Sequence, residues 1–261
     1  MTMLKLTLST ALVTAMGASG ALAASAIGLV GDKTLVMFDT ETLEVTGTMD
    51  VTGTAKLHGI DLRPSNKTLV AVDADQALYT IDMESGAATK VSQMDKMLPV
   101  DGPVIVDFNP KADKLRFMSG TTNHRVNVET GEVTVDGSLA YEEKDMHAGE
   151  APAIAAAAYA NSYGMPDSTA MYDVDSTIVA LIQQTSPNDG TLAAIGKFGI
   201  DMPGEGYAFD IQTTEDMKNT AWLATGNMLY TVDLESGEAM GKGMVEGAGG
   251  DIRDLTILPA M

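Results

Sequence analysis

The sequence predicts an all-β fold: a five-bladed propeller closed by pairing of its C-terminal strand with the first blade. Three observations carry this. An apolar strand-like run ending in Asp or Asn recurs five times, as LVMFD (35–39), LYTID (78–82), HRVNV (124–128), MYDVD (171–175) and LYTVD (229–233). Its Asp/Asn positions, Asp39, Asp82, Asn127, Asp175 and Asp233, are 43, 45, 48 and 58 residues apart, and a period of this length built from β-type units marks propeller blades. The repeat units each divide into short strands separated by turn residues. The first unit is one strand short, while the C-terminus has one strand to spare. A β-sandwich or an open β-repeat array is the alternative.

The first unit offers only IGLVG, TLVMFD and EVTGTMDV, within residues 27–51. The second is complete: HGIDLRP (58–64), TLVAVDA (68–74), ALYTIDM (77–83) and AATKVSQM (87–94), joined by SNK, DQ and ESG turn sequences. The third reads VIVDFNP (104–110), KLRFMSG (114–120), HRVNVETG (124–131) and EVTVDGSL (132–139). The fourth reads IAAAAYANS (154–162), TAMYDVDS (169–176), IVALIQQ (178–184) and TLAAIGKFG (191–199). The fifth is GYAFDIQ (206–212), NTAWLATG (219–226), MLYTVDLESG (228–237) and EAMGKGMV (238–245). The orphan strand DLTILPA (254–260) becomes the innermost strand of the first blade, which removes exposed sheet edges. Residues 140–153 are the least strand-like stretch and are expected to run as an excursion between blades.

Residues 1–23 read as a signal peptide. Lys5 gives the positive start, Leu6 to Leu22 a mildly apolar stretch, and Ala21-Leu22-Ala23 the small-x-small cleavage pattern, with Ala26 as the competing site. The remainder, 24–261, is a single domain, exported to the periplasm or the extracellular space, with no membrane span and a monomeric state expected. The chain has no Cys, which excludes thiolate nucleophiles, thiolate zinc sites and iron–sulfur clusters. It carries 16 Lys and Arg against 36 Asp and Glu. Such a charge repels phosphate backbones and anionic headgroups, so nucleic acid is excluded as a partner. The single Trp, Trp222, among 5% aromatic residues counts against the stacking platforms of a carbohydrate groove.

The blocks GIDLRP (59–64), VDFNP with KADKLRFMSGTTNHRVN (106–127), AYANS (158–162), MYDVDS (171–176), PNDGTL (187–192), GYAFDI (206–211), LYTVDLESG (229–237) and IRDLTIL (252–258) resemble the exported bacterial proteins of domain-of-unknown-function family 4394. The resemblance covers nearly all of the chain after the leader, in order. It implies a propeller and an exported address, and transfers no activity.

The predicted inner strands place Asp61, Asp107 and Asp210 at matching positions, with Ala158 and Thr256 as the equivalents in the fourth and first blades. Three carboxylates facing one channel suit a hard cation such as Ca²⁺, which takes six to eight oxygen ligands. The same residues also suit a structural role, each accepting backbone N–H bonds from the neighbouring blade. Asp254 points the same way along its strand, and His58, just before an inner strand, is a further candidate at the channel mouth or a surface cap. The strand-end Asp/Asn set reads as turn-forming. His124 and His147 show no metal-ligand spacing, Arg125 is expected to pair with a local carboxylate, and Ser186-Pro187-Asn188-Asp189-Gly190 is a strong turn. No catalytic elbow, P-loop or dinucleotide fingerprint occurs in the sequence. The sequence therefore favours a non-catalytic propeller binding a small ligand or protein partner at one rim of its channel, with no cofactor beyond Ca²⁺. The alternative is a hydrolase with a cation-assisted channel site on Asp61, Asp107 and Asp210.

Overall fold

The computed structural model describes residues 24–201 and 203–259, so the signal peptide expected over 1–23 lies outside the described residues. Five sheets form, and no α-helix occurs among the described residues. The first blade contains β1 (Ser25–Val30), β2 (Thr34–Asp39) and β3 (Val45–Asp50). The second contains β4 (Leu57–Leu62), β5 (Leu69–Asp73), β6 (Ala77–Ile81) and β7 (Ala88–Gln93). The third contains β8 (Val104–Asn109), β9 (Lys114–Ser119), β10 (Thr122–Val126) and β11 (Val133–Val135). A two-residue strand, β12 (Ala140–Tyr141), precedes the fourth blade of β13 (Ile154–Tyr159), β14 (Met171–Asp175), β15 (Ala180–Ser186) and β16 (Thr191–Lys197). The fifth contains β17 (Tyr207–Thr213), β18 (Asn219–Thr225), β19 (Met228–Val232) and β20 (Ala239–Met244), and the chain ends with β21 (Ile252–Ile257).

β21 lies inside β1, giving the order β21-β1-β2-β3 in the first blade. Ala26 faces Ile257 and Ile27 faces Thr256 across this antiparallel pair, and the Leu258 N–H donates to the Ser25 carbonyl at 2.8 Å. The inner strands β21, β4, β8, β13 and β17 pack side by side around the axis, and β17 meets β21 to complete the ring. The orphan C-terminal strand thus occupies its expected place. Closure leaves only outer edges exposed, which is how a propeller limits edge-to-edge association.

Each gap between blades holds one apolar cluster. Phe38, Trp222 and Leu255 fill the gap between fifth and first blades; Leu35, Leu57 and Ile60 fill that between first and second. Phe108 and Phe117 fill the next, Met118, Tyr159 and Ile182 the one between third and fourth, and Phe198, Phe209 and Leu223 the last. Strands covered on both faces read as continuous apolar runs rather than alternating ones, which is why TLVAVD and IAAAAY carry so little polarity.

Four of the five repeat copies are third strands. Their terminal Asp or Asn accepts N–H groups of the following turn: Asp39 from Glu41 and Thr42, Asp82 from Glu84 and Ser85, Asn127 from Glu129, and Asp233 from Glu235 and Ser236. The MYDVD copy is out of phase. Asp175 ends β14, a second strand, while the third strand β15 ends at Ser186. The insertion before the fourth blade explains the uneven spacing. Residues 140–153 place β12 parallel to β16 along the outer edge of the blade, and Asp145 Oδ2 accepts the Ala194 N–H at 2.7 Å. The excursion covers a sheet edge that would otherwise stay open.

Candidate functional site in the channel

Backbone register confirms the alignment of the inner-strand positions. Asp61, Asp107, Ala158, Asp210 and Thr256 face Val70, Arg116, Tyr172, Trp222 and Ile27 on the second strands. The inner edge of each of these strands has no ladder partner, so its N–H groups need other acceptors. The carboxylates supply them across the gaps. Asp61 Oδ2 accepts the Phe108 N–H at 2.7 Å, and Asp107 Oδ1 accepts the Tyr159 N–H at 2.9 Å. Asp210 Oδ2 accepts the Ile257 N–H, and Thr256 Oγ1 accepts the Leu62 N–H at 3.2 Å. Each donor follows the aligned position of the next blade, so the bonds form a belt. The belt has one gap: Ala158 has no acceptor, and the Ile211 N–H turns to Asp210 Oδ1 of its own residue pair.

Asp254, two residues before Thr256, extends the belt to a second level. Its Oδ2 accepts the Ile60 N–H at 2.7 Å and its Oδ1 the Leu255 N–H at 3.0 Å. Gly59 makes this approach possible, because a Cβ there would lie 2.5 Å from Asp254 Oδ2 and 2.7 Å from Val106 Cγ2.

Asp61, Asp107 and Asp210 converge: one oxygen from each lies within 4.8 Å of the others. They are 6%, 5% and 8% exposed and line a cavity of about 40 Å³ with Thr256, Lys67 and Tyr163. The cavity opens on the rim where the inner strands end, beside the 161–164 and 63–67 turns. Its volume admits an ion or a few waters and no organic substrate. Burial, then the Asp210 charge, pushes the Asp61 carboxyl well above the usual range; burial and the Asp61 charge do the same to Asp107. Burial raises Asp210 to about 6 against the opposing Ile257 and Ile211 N–H bonds. Burial likewise raises Asp254 to about 7, against the opposing Ile60 and Leu255 N–H bonds and the Arg253 charge. Three carboxylates this close cannot all ionise without a compensating positive charge.

The structure does not bring His58 to these groups. His58 sits at a bulge in β4, its ring 6.2 Å from that of Phe117 between second and third blades. Its carbonyl accepts Arg253 Nη1 at 2.8 Å, and burial lowers its pKa. His124 is buried and His147 is half-buried, pairing with Glu150 at 3.0 Å and lying over Tyr141. Arg125 pairs with Asp136, as its sequence setting suggested. Sequence reasoning missed Arg116, which is fully buried and bonded to Asp136 at 2.6 Å.

No curated protein matches the chain in sequence. Solved structures resemble it at low identity. An auxiliary nutrient binding protein from Bacteroides thetaiotaomicron VPI-5482 is 14% identical with a TM-score of 0.48, covering 87% of this chain and 58% of its own. An auxiliary nutrient binding protein from Bacteroides ovatus ATCC 8483 is 12% identical with a TM-score of 0.47, covering 82% and 57%. A protein of unknown function from Bacteroides caccae is 10% identical with a TM-score of 0.44, covering 83% and 72%. This chain spans less than two thirds of the two nutrient binding proteins, and likenesses at this level transfer no function to it. The sequence itself is matched by a family model over residues 34–256, from β2 of the first blade to Thr256 of β21, and the chain belongs to the family described as Domain of unknown function (DUF4394).

Proposed function

We propose that the protein is an exported, non-catalytic binding propeller that takes a small ligand or protein partner at the rim above Asp61, Asp107 and Asp210, with a cation such as Ca²⁺ held by those carboxylates. The observation that carries this reading is the convergence of three buried carboxylates beneath a small cavity that opens on one rim. A divalent cation would relieve their repulsion, and Thr256 Oγ1, within 2.9 Å of Asp61 Oδ1, offers a further oxygen. The volume disfavours the hydrolase alternative, since an organic substrate has no room beside the acids. A ligand must instead sit on the rim, where Lys67, Ser162, Tyr163, Gln212 and Thr213 line the opening, and the ring closes on itself as a monomer.

Thermal melting with Ca²⁺ tests the site. Millimolar Ca²⁺ is expected to raise the Tm of the native protein, because an ion that binds only the folded state stabilises it. Asp107→Asn keeps an oxygen for the Tyr159 N–H and removes one charge. It is expected to melt close to the native protein without Ca²⁺ and to lose the Ca²⁺ response. A native Tm that stays constant across millimolar Ca²⁺ removes the cation from the proposal. A large loss of stability in Asp107→Asn without ion would assign Asp107 to blade pinning alone.

The leader is part of the same reading. The Ala24 carbonyl accepts the Thr40 N–H at 2.9 Å, and Ala26 is fully buried between Phe38 and Ile257. Cleavage after Ala26 would remove residues that belong to the closing pair, whereas cleavage after Ala23 spares them. Mass spectrometry of the exported protein is expected to give Ala24 as the first residue. A chain beginning at Ile27 would refute this placement.

A further inference from the structure

We propose that the gap between third and fourth blades encloses a hydrated polar site, in which Asp173 and Gln184 hold one or two bound water molecules beside Arg116. The repeat itself singles out this gap. Asp173 pairs with Ala157, and the four equivalent pairs are Ile60 with Ala71, Val106 with Phe117, Phe209 with Leu223, and Leu255 with Gly28. Gln184 pairs with Met171, and its equivalents in the other third strands are Phe38, Ile81, Val126 and Val232. Four blades therefore place apolar or Gly residues at both positions, and the fourth places an acid and an amide. The residue facing them is also exceptional. Arg116 stands where the other blades carry Ile27, Val70, Tyr172 and Trp222. Three departures from the repeat meet in one interface.

Hydrogen-bond accounting identifies the guest. Arg116 Nε and Nη2 donate to Tyr159 Oη at 3.2 and 3.0 Å. Nη1 donates to Asn123 Oδ1 at 2.8 Å and to Asp136 Oδ2 at 2.6 Å, and Nη2 to Asn188 Oδ1 at 3.2 Å. All five guanidinium N–H groups are thus engaged, so Arg116 has none left for Asp173. Asp173 is 0% exposed, and neither of its oxygens has a hydrogen-bond partner in the chain; the same holds for Gln184 Oε1 and Nε2. The Asp173 carboxyl and the Gln184 amide lie buried on adjacent strands, an arrangement that is strongly unfavourable unless something supplies hydrogen-bond partners. Burial raises the Asp173 carboxyl to about 8, in keeping with a group that no protein donor stabilises.

Charge selects water over an ion. Arg116 and Arg125 are opposed by Asp136 and by Asp175, whose charge also raises Asp173, so the set is neutral with Asp173 protonated. A cation would face the guanidinium, and an ion of either sign would unbalance the set. Water both donates and accepts, so it can serve the protonated Asp173 carboxyl, the Gln184 carbonyl oxygen and the amide N–H groups alike. The inner-strand neighbour of Asp173 is Ala157, smaller than the Ile60, Val106, Phe209 and Leu255 that the other blades carry there.

The test is a crystal structure of the native protein at a resolution that shows ordered solvent. The expected result is one or two water peaks within hydrogen-bond distance of Asp173 and Gln184, about 2.6–3.2 Å. Direct bonding between Asp173 and Gln184 with no density beside them would overturn the proposal. The double variant Asp173→Leu/Gln184→Leu is expected to be dry at this site; peaks that persist there would show that other groups hold them, and would equally overturn it. Should the variant fail to fold, the native map decides alone.

Discussion

Ending the chain at Asp251 is expected to abolish the cooperative thermal transition. The truncation removes β21, the inner strand of the first blade, and opens the ring between β17 and β4. Ile252, Leu255 and Ile257 are buried in the native protein. Each contributes about 1.5–3 kcal/mol on burial, or about 5–9 kcal/mol together. That sum is comparable to the whole stability of a domain, about 5–15 kcal/mol. Polar losses add to it. Arg253 donates to the carbonyls of Gly31, Asp32, Leu57 and His58, tying the first blade to the second. Thr256 and Asp254 leave the channel belt, and the N–H groups of Ile60 and Leu62 lose acceptors. Circular dichroism melting of the truncated protein checks this. A cooperative transition within a few degrees of the full-length protein would show that the ring does not depend on its closing strand.

The blades were legible because their strands are short, apolar and punctuated by Gly, Asn and Asp turns, a local signal. Closure was legible from arithmetic: the first unit lacked a strand and DLTILPA had no partner. The aspartates of the channel were legible as a row, since repeats align Asp61, Asp107 and Asp210 without any knowledge of contacts. Their role as acceptors of N–H bonds from the neighbouring blade was legible too, but the particular donors Phe108, Tyr159 and Ile257 were not, because each lies 47 to 52 residues away in the next blade. The strand-by-strand division placed TAMYDVDS second in the fourth unit, as β14 is; only the five-copy repeat was out of phase there, because MYDVD mimics a third strand and the excursion at 140–153 lengthens one interval. His58 sits at a bulge, a one-residue irregularity that re-aims a side chain and leaves no mark in the pattern. Arg116, Asp173 and Gln184 did carry a signal. Each is polar where the aligned blades are mostly apolar, yet that comparison requires the register of second and third strands, which the coordinates supply.

The second large effect is in the pH dependence, and its direction is opposite to that of an acid-labile protein. Carboxylates held by cations have lowered pKa values and lose stability as pH falls. The central acids here are raised: Asp210 to about 6, Asp254 to about 7, Asp173 to about 8, and Asp61 and Asp107 well above their usual value. Between the unfolded value near 3.8 and these folded values, the native state binds more protons than the unfolded state, so stability falls as pH rises through this window. For Asp210 alone the difference is on the order of 3 kcal/mol. The Tm is therefore expected to be higher at pH 5 than at pH 8 in the presence of a chelator. Exposed turn acids such as Asp39, Asp82 and Asp233 work the other way, since backbone N–H or Ser hydroxyl bonds lower their pKa, but their solvent exposure limits the contribution. Ca²⁺ separates the channel from the Asp173 site. An ion bound by Asp61, Asp107 and Asp210 displaces their protons and flattens their share of the slope, while leaving the share of Asp173 intact. A Tm that climbs from pH 5 to pH 8 without added ion would mean that the buried acids are ionised and paired in solution, and the electrostatic basis for a cation at the channel would be lost.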